Sequence, residues 1–188
     1  MIGALPDSLE VNGKEYRIRT DYRDVLTILT AFDDPDLEPG EKVFVCLYIL
    51  YPDFGDIPQE DLEEAYQQAA RFIDCGAEMR DEAKRNPRLV DWEQDERILF
   101  PAINAVAGRE VRGQEYMHWW TFMGYFMEIH EGTYAQVLQL RQKRAKGKKL
   151  EKWEQEFWRT NKDICKIRKK LSQEEKAEQE FLKDLLGG

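Results

Sequence analysis

Gln114-Glu-Tyr-Met-His-Trp-Trp-Thr-Phe-Met-Gly-Tyr-Phe-Met-Glu-Ile-His-Glu131 is the stretch on which the fold turns. Tyr116, Met117, Trp119, Trp120, Phe122, Met123, Tyr125, Phe126 and Ile129 recur too densely to lie on one stripe of a helix. A surface helix carries a single apolar face, so a helix that is apolar on several sides is enclosed by others or covered by a partner. The segment therefore predicts a helix over 114–131 at the centre of a multi-helix, mainly α domain.

Helical spacing continues on both sides of it. Upstream, Asp91-Trp92-Glu-Gln-Asp95 leads into Ile98, Leu99, Ala102, Ile103 and Val106, an amphipathic helix closed by Gly108. Pro101 falls inside that pattern, and a proline there removes a hydrogen bond, so a bend is expected. Downstream, Thr133 to Arg144 repeats Tyr134, Val137, Leu138 and Arg141 on related faces. Arg141-Gln-Lys-Arg-Ala-Lys-Gly-Lys-Lys149 reads as an exposed basic turn around Gly147. Leu150, Trp153, Phe157, Ile164 and Ile167 then mark a stripe through a very polar helix. Ser172-Gln-Glu-Glu175 has the pattern of a capping box, with Phe181, Leu182, Leu185 and Leu186 forming an apolar end behind it.

The N-terminal part begins with the one β signal. Ser8–Val11 and Glu15–Ile18 alternate around Asn12-Gly13, a pair suited to the positive φ values of a primed hairpin turn. An isolated two-stranded ribbon is marginal, so its apolar face (Leu9, Val11, Tyr16, Ile18) must pack on helices or on another subunit. Thr20-Asp21 opens a first helix through Tyr22, Val25, Leu26 and Leu29, which stops at Asp33-Asp34-Pro35. Pro39-Gly40 reads as a further break, and Glu41–Leu50 as a second helix, apolar on most sides and central. Pro58-Gln-Glu-Asp61 starts a third, with Leu62, Tyr66, Ala69 and Ile73 facing inward. Residues 76–90, around Asn86-Pro87, form an irregular connection. The fold expected is a mainly helical core domain over 1–147, with the hairpin in 1–20, and a charged helical arm over 148–188.

Composition agrees: of 188 residues, 42% are hydrophobic and 35% charged, which suits a charged globular protein rather than a disordered one. The longest apolar run, Val43–Tyr51, is far short of the roughly 20 residues that cross a bilayer. No basic and then apolar leader opens the sequence, and Cys46, Cys75 and Cys165 are odd in number and far apart, fitting buried free thiols in a reducing cytoplasm. The net charge of −9 hides a division. From Arg141 to Lys170 there are thirteen Lys or Arg against four acids, a local +9 that leaves −18 for the rest. Arg141, Lys143, Arg144, Lys146, Lys148 and Lys149 are thus the candidate contacts for an acidic partner or for phosphate. The acidic whole and the core-like spacing of Trp153, Phe157 and Trp158 favour a solvated face or an acidic protein over nucleic acid.

Catalytic patterns are missing. Glu115-x-x-His118 has the spacing used in di-metal bundles, which need it twice, and Met127 stands three residues before His130. The sequence contains no zinc helix, nucleophile elbow or phosphate loop. No enzyme activity, metal or cofactor is expected, and the function expected is protein binding.

Asp91-Trp-Glu-Gln-Asp95-Glu-Arg-Ile98, Tyr116-Met-His118-Trp119-Trp120-Thr-Phe122 and Thr133-Tyr-Ala-Gln-Val-Leu-x-Leu-Arg141 together resemble the bacteriophage "gene product fifteen" family of long-tailed siphophages and prophages of Gram-positive bacteria. The resemblance runs from the N-terminal helices to about Lys162. It implies a tail-morphogenesis protein similar in role to tail assembly chaperones. Such a protein coats the tape measure protein in the host cytoplasm, is displaced as tail-tube protein polymerises, and is absent from the virion. It carries over no catalytic residues. A groove for a helical client would suit that role, with Trp119, Trp120, Phe122, Met123 and Phe126 as the expected contacts and self-association expected too. The alternatives are a connector or minor tail protein kept in the virion, or a nucleic-acid-binding regulator using 141–170.

Overall fold

The computed structural model describes residues 3–77 and 88–186. The architecture is mainly α, with a short N-terminal hairpin and a C-terminal helix. The hairpin pairs β1 (Ser8–Val11) with β2 (Lys14–Arg17), antiparallel, with Leu9 opposite Tyr16. Asn12 (φ 46°) and Gly13 (φ 83°) supply the two left-handed residues of the turn. Val11, Tyr16 and Ile18 are buried, so the ribbon finds its cover on this chain's own helices.

Helix α1 (Tyr22–Phe32) starts on Asp21, whose Oδ1 accepts from the Arg23 N–H at 2.9 Å. Helix α2 (Pro39–Leu50) begins two residues earlier than expected. Pro39 and Gly40 belong to its first turn, because the missing proline N–H would have had no helical partner there. Glu38 and Glu41 close a capping box over it. A short 3-10 turn, Gln59–Asp61, precedes α3 (Leu62–Ile73), which buries Ala65, Ala69, Phe72 and Ile73 and packs the half-buried Leu62 and Tyr66 against the same core. Most of the expected connection around Asn86-Pro87 lies outside the described residues.

Helix α4 (Glu96–Ala107) runs unbroken through Pro101 and ends on Gly108 at φ 67°. Helix α5 is only Trp119–Met127, much shorter than the 114–131 expected. Residues before it instead pair with the start of α1. Tyr22 N–H donates to the Met117 carbonyl at 3.0 Å, and Trp119 N–H to that of Thr20 at 2.7 Å. A helix cannot include a segment whose backbone is committed to another strand. Helix α6 (Gly132–Ala145) ends at Gly147, φ 67°, in a Schellman motif: Lys148 N–H reaches the Lys143 carbonyl at 2.9 Å. Helices α7 (Lys152–Thr160), α8 (Lys162–Cys165) and α9 (Gln173–Leu186) complete the chain. The Ser172–Glu175 box caps α9 as expected, with reciprocal bonds of 3.0 and 3.1 Å.

Packing proceeds neighbour to neighbour: the hairpin on α3, α3 on α2, α2 on α1, α1 on α5, α5 on α4, α4 on α6 and α6 on α8. One large apolar cluster spans the hairpin through α5, and a second forms around Val137, Leu140 and Cys165. The stretch 150–165 therefore packs on the body of its own chain, through Leu150, Phe157, Trp158 and Ile164. Among the described residues no helix is long and apolar enough to cross a membrane.

Candidate partner-binding surfaces

The aromatic segment divides between clamp and core. His118 caps α5: its Nδ1 accepts from the Trp120 N–H at 3.0 Å, while Nε2 lies 2.9 Å from the Pro6 carbonyl. Those two contacts require the proton on Nε2. The last carbonyls of α3 have no partners within that helix. Two of them are met by the indoles, Trp119 Nε1 donating to Ile73 at 2.8 Å and Trp120 Nε1 to Phe72 at 2.9 Å. Trp120 also stacks on Phe72, and its ring passes 3.4 Å from where a Cβ at Gly76 would stand. Gly76 itself has φ 78°, so glycine suits that position twice over.

This corrects the expected contact set. Trp119 and Phe122 are 1% and 0% exposed, packed with Tyr22 in a stack whose Tyr22–Phe122 centroids are 4.5 Å apart. A client cannot reach them. Trp120, Met123 and Phe126 are half-buried against the same core, Phe126 lying edge-on to Tyr134 and close to Trp92.

The open apolar surface lies beside that segment. A groove of about 1050 Å³ runs between α4 and the α5–α6 connection. Its α4 wall is Ile98, Pro101, Ala102, Ala105 and Val106, and Ile129 faces them from the connection. Positions 98, 101, 102, 105 and 106 follow the spacing of one helical stripe, the kind that packs against another helix. Pro101 has no N–H to offer the Arg97 carbonyl, so that acceptor lacks its usual helical partner at the groove. Arg97, Glu128 and Glu131 supply charge along the lining.

A second exposed apolar face corrects the reading of α2 as a central helix. Cys46, Leu47 and Leu50 are buried, but Phe44 and Tyr48 are 54% and 62% exposed. They stack with centroids 5.8 Å apart and meet the edge of Phe54. Glu41, Asp53 and Asp56 are exposed nearby in sequence, against Arg19, whose guanidinium donates to the Tyr48 and Ile49 carbonyls.

The basic tract also divides. Arg141 is not a surface contact: it is 4% exposed and forms a forked pair with Asp95, itself 0% exposed, at 2.6 and 2.7 Å. Its remaining donor capacity goes to the carbonyls of Leu89 (2.7 Å), Ile164 (2.7 Å) and Cys165 (3.0 Å). All five guanidinium N–H groups are thereby used, the condition under which a buried charge is tolerated. The side chain fastens α6 to the entry of α4 and to α8. Sequence reasoning missed this pair. Its signal was Arg141 standing four residues after Val137, on the apolar side of α6.

Lys143 pairs at 2.5 Å with the carboxylate of Glu154, which holds that acid below the usual carboxylate range. Arg144 lies over the Trp158 ring at 4.4 Å. Lys146, Lys148 and Lys149 stand exposed on the turn. Arg144, Gly147, Lys148, Leu150, Gln155 and Trp158 line a pocket of about 430 Å³ there.

Cys46 and Cys165 are buried, as expected of structural thiols, and burial pushes Cys46 up to about 12. Cys75 differs: it sits just past α3 at φ 56°, half-buried, with burial pushing it up to about 11. Such thiols are poor nucleophiles. Among the described residues no three His, Cys, Asp or Glu side chains converge as a metal site.

No curated protein and no solved structure matches the chain. Residues 1–167 match the family described as Bacteriophage Gp15 protein, a span that takes in α1 to α8 and stops before α9. The chain belongs to that bacteriophage family, as its Asp91–Arg141 motifs led us to expect.

Proposed function

We propose that this phage protein is a tail assembly chaperone that binds helical segments of the tape measure protein in the host cytoplasm and yields them to the tail-tube protein during assembly. The reading assigns it binding and no catalysis. The observation that carries it is the α4 stripe of exposed Pro101, Ala105 and Val106 with half-buried Ile98 and Ala102, opposed by Ile129 across a groove of about 1050 Å³. An amphipathic client helix would lay residues at i, i+3, i+4 and i+7 into such a groove. The acidic balance of the chain, −9 overall, would keep the loaded complex dispersed.

Co-expression with a tape measure protein of the same phage tests this. The expected result is tape measure in the soluble fraction as a defined complex with this protein. Insoluble tape measure with no complex overturns the reading. Recovery of the protein from purified virions would instead establish a retained connector.

A further inference from the structure

The C-terminal helix presents an unusual situation. Its first turn is tied down by the Ser172–Glu175 box, by Lys169 on Glu175 at 2.5 Å and by Gln173 N–H on Asp36 at 2.8 Å. Beyond that turn every residue from Lys176 to Lys183 is exposed, including Phe181 at 65% and Leu182 at 46%. An uncovered helix of this length is marginal in water, where isolated helices need about 12–15 residues even in favourable sequences. An apolar pair left open on a marginal helix calls for cover.

Three exposed apolar sites stand open to it: the α4 groove, whose lining sets Arg97 against Glu128 and Glu131 and which the proposed function gives to the client, and two others that charge separates. Glu174, Glu178 and Glu180 are exposed on α9. The Phe44–Tyr48–Phe54 face is flanked in sequence by exposed Glu41, Asp53 and Asp56 against Arg19 at the Tyr48 carbonyl, so on balance α9 would bring like charge to like. The pocket at the α6–α7 corner is basic on balance: Arg144, Lys148, Leu150 and Trp158 line it, Arg144 lying over the Trp158 ring, and Lys146 and Lys149 are exposed on the same turn against Glu151. Among the described residues no carboxylate pairs with Lys146, Lys148 or Lys149.

We propose that α9 of one copy docks on the basic α6–α7 corner of a second copy, seating Phe181 and Leu182 against Leu150 and Trp158 while its glutamates face Lys146, Lys148 and Lys149. Donor and acceptor surfaces differ, so the contact is heterologous and passes head to tail from copy to copy. One short helix buries little surface, which places the contact in the small, transient class below about 1,200 Å². The association is salt-sensitive, because exposed charges are screened over about 10 Å at 0.1 M salt and about 3 Å at 1 M. It is independent of the client groove.

Sedimentation of the full chain across concentration and salt tests the proposal, using two double variants: Phe181→Asp with Leu182→Asp, and Lys146→Glu with Lys148→Glu. All four positions are exposed, and unchanged melting temperatures check that both variants fold. The wild type is expected to associate with rising concentration and to dissociate at high salt, and each variant alone to remain monomeric. An equimolar mixture should form a 1:1 dimer and nothing larger, since it holds one intact helix and one intact corner. A wild type that is monomeric throughout overturns the proposal. So does association that neither variant weakens, or a mixture that stays monomeric.

Discussion

Helices α2 and α5 are the two most apolar among the described residues, yet the fold treats them oppositely. The aromatic-rich α5, which invites reading as a binding surface, turns Trp119 and Phe122 fully inward and uses two indole N–H groups to close the end of α3. Helix α2, which reads as core, turns Phe44 and Tyr48 outward. Apolar content says that a helix wants cover; its neighbours decide how much cover it gets. Helix α5 meets α1 and α4, whereas α2 is covered by α1 and α3 and remains open at Phe44 and Tyr48.

Cutting into the two helices separately should expose the difference. Trp119→Ala or Phe122→Ala is expected to cost about 3–5 kcal/mol in chemical denaturation, the usual range for emptying a buried aromatic site. Phe44→Ser or Tyr48→Ser should stay within about 0.5 kcal/mol, as exposed substitutions do. A tolerant Trp119 would return α5 to candidacy as a binding face.

The same contrast recurs within the basic tract. Arg141→Ala leaves the buried Asp95 carboxyl without its partner, for an expected loss of about 3–5 kcal/mol. Lys148→Ala, seven residues on and exposed, should change stability by no more than about 0.5 kcal/mol. Equal effects at the two positions would refute the division of the tract. Trp120→Phe is a finer cut: it keeps an aromatic ring beside Phe72 and removes one hydrogen bond, so about 1 kcal/mol should be lost.

The smallest effect concerns the turn between α4 and α5. Arg112 donates to Glu110 twice through its side chain and once through its backbone, and Asn104 adds a fourth bond, holding the Glu110 carboxyl down at about 2. A carboxyl depressed in the fold contributes stability above its ordinary value of 4.5 and loses it as pH falls toward about 2. A carboxyl NMR titration should give Glu110 a midpoint near 2, and Arg112→Ala should move it up toward 4.5. An ordinary midpoint in the wild type would dissolve this contact.

Much of the architecture was legible because it is written locally. Asn12-Gly13 states a hairpin turn, Ser172-x-x-Glu175 a helix start, and Gly108 and Gly147 helix ends. The errors come from contacts between distant segments. Nothing near Gln114–Met117 announces that its backbone pairs with residues 20–22, so α5 read too long. Nothing beside Arg141 announces Asp95, although both lie in the motifs that carried the family resemblance. Those motifs fit a structural role: His118, Trp119, Trp120, Asp95 and Arg141 cap, clamp and fasten helices. The groove escaped sequence reading because its two walls, α4 and residues 128–134, meet only in the folded chain.

The most direct test of the account compares tape-measure solubility on co-expression with the wild type, with Ala105→Glu in the groove and with Phe44→Ser plus Tyr48→Ser on α2. Ala105 is exposed, so its substitution alters the groove without opening the core. Ala105→Glu is expected to lower the soluble complex about tenfold or more, while the α2 variant matches wild type. Full activity in the groove variant, with loss in the α2 variant, would contradict this and move the client to the aromatic face of α2.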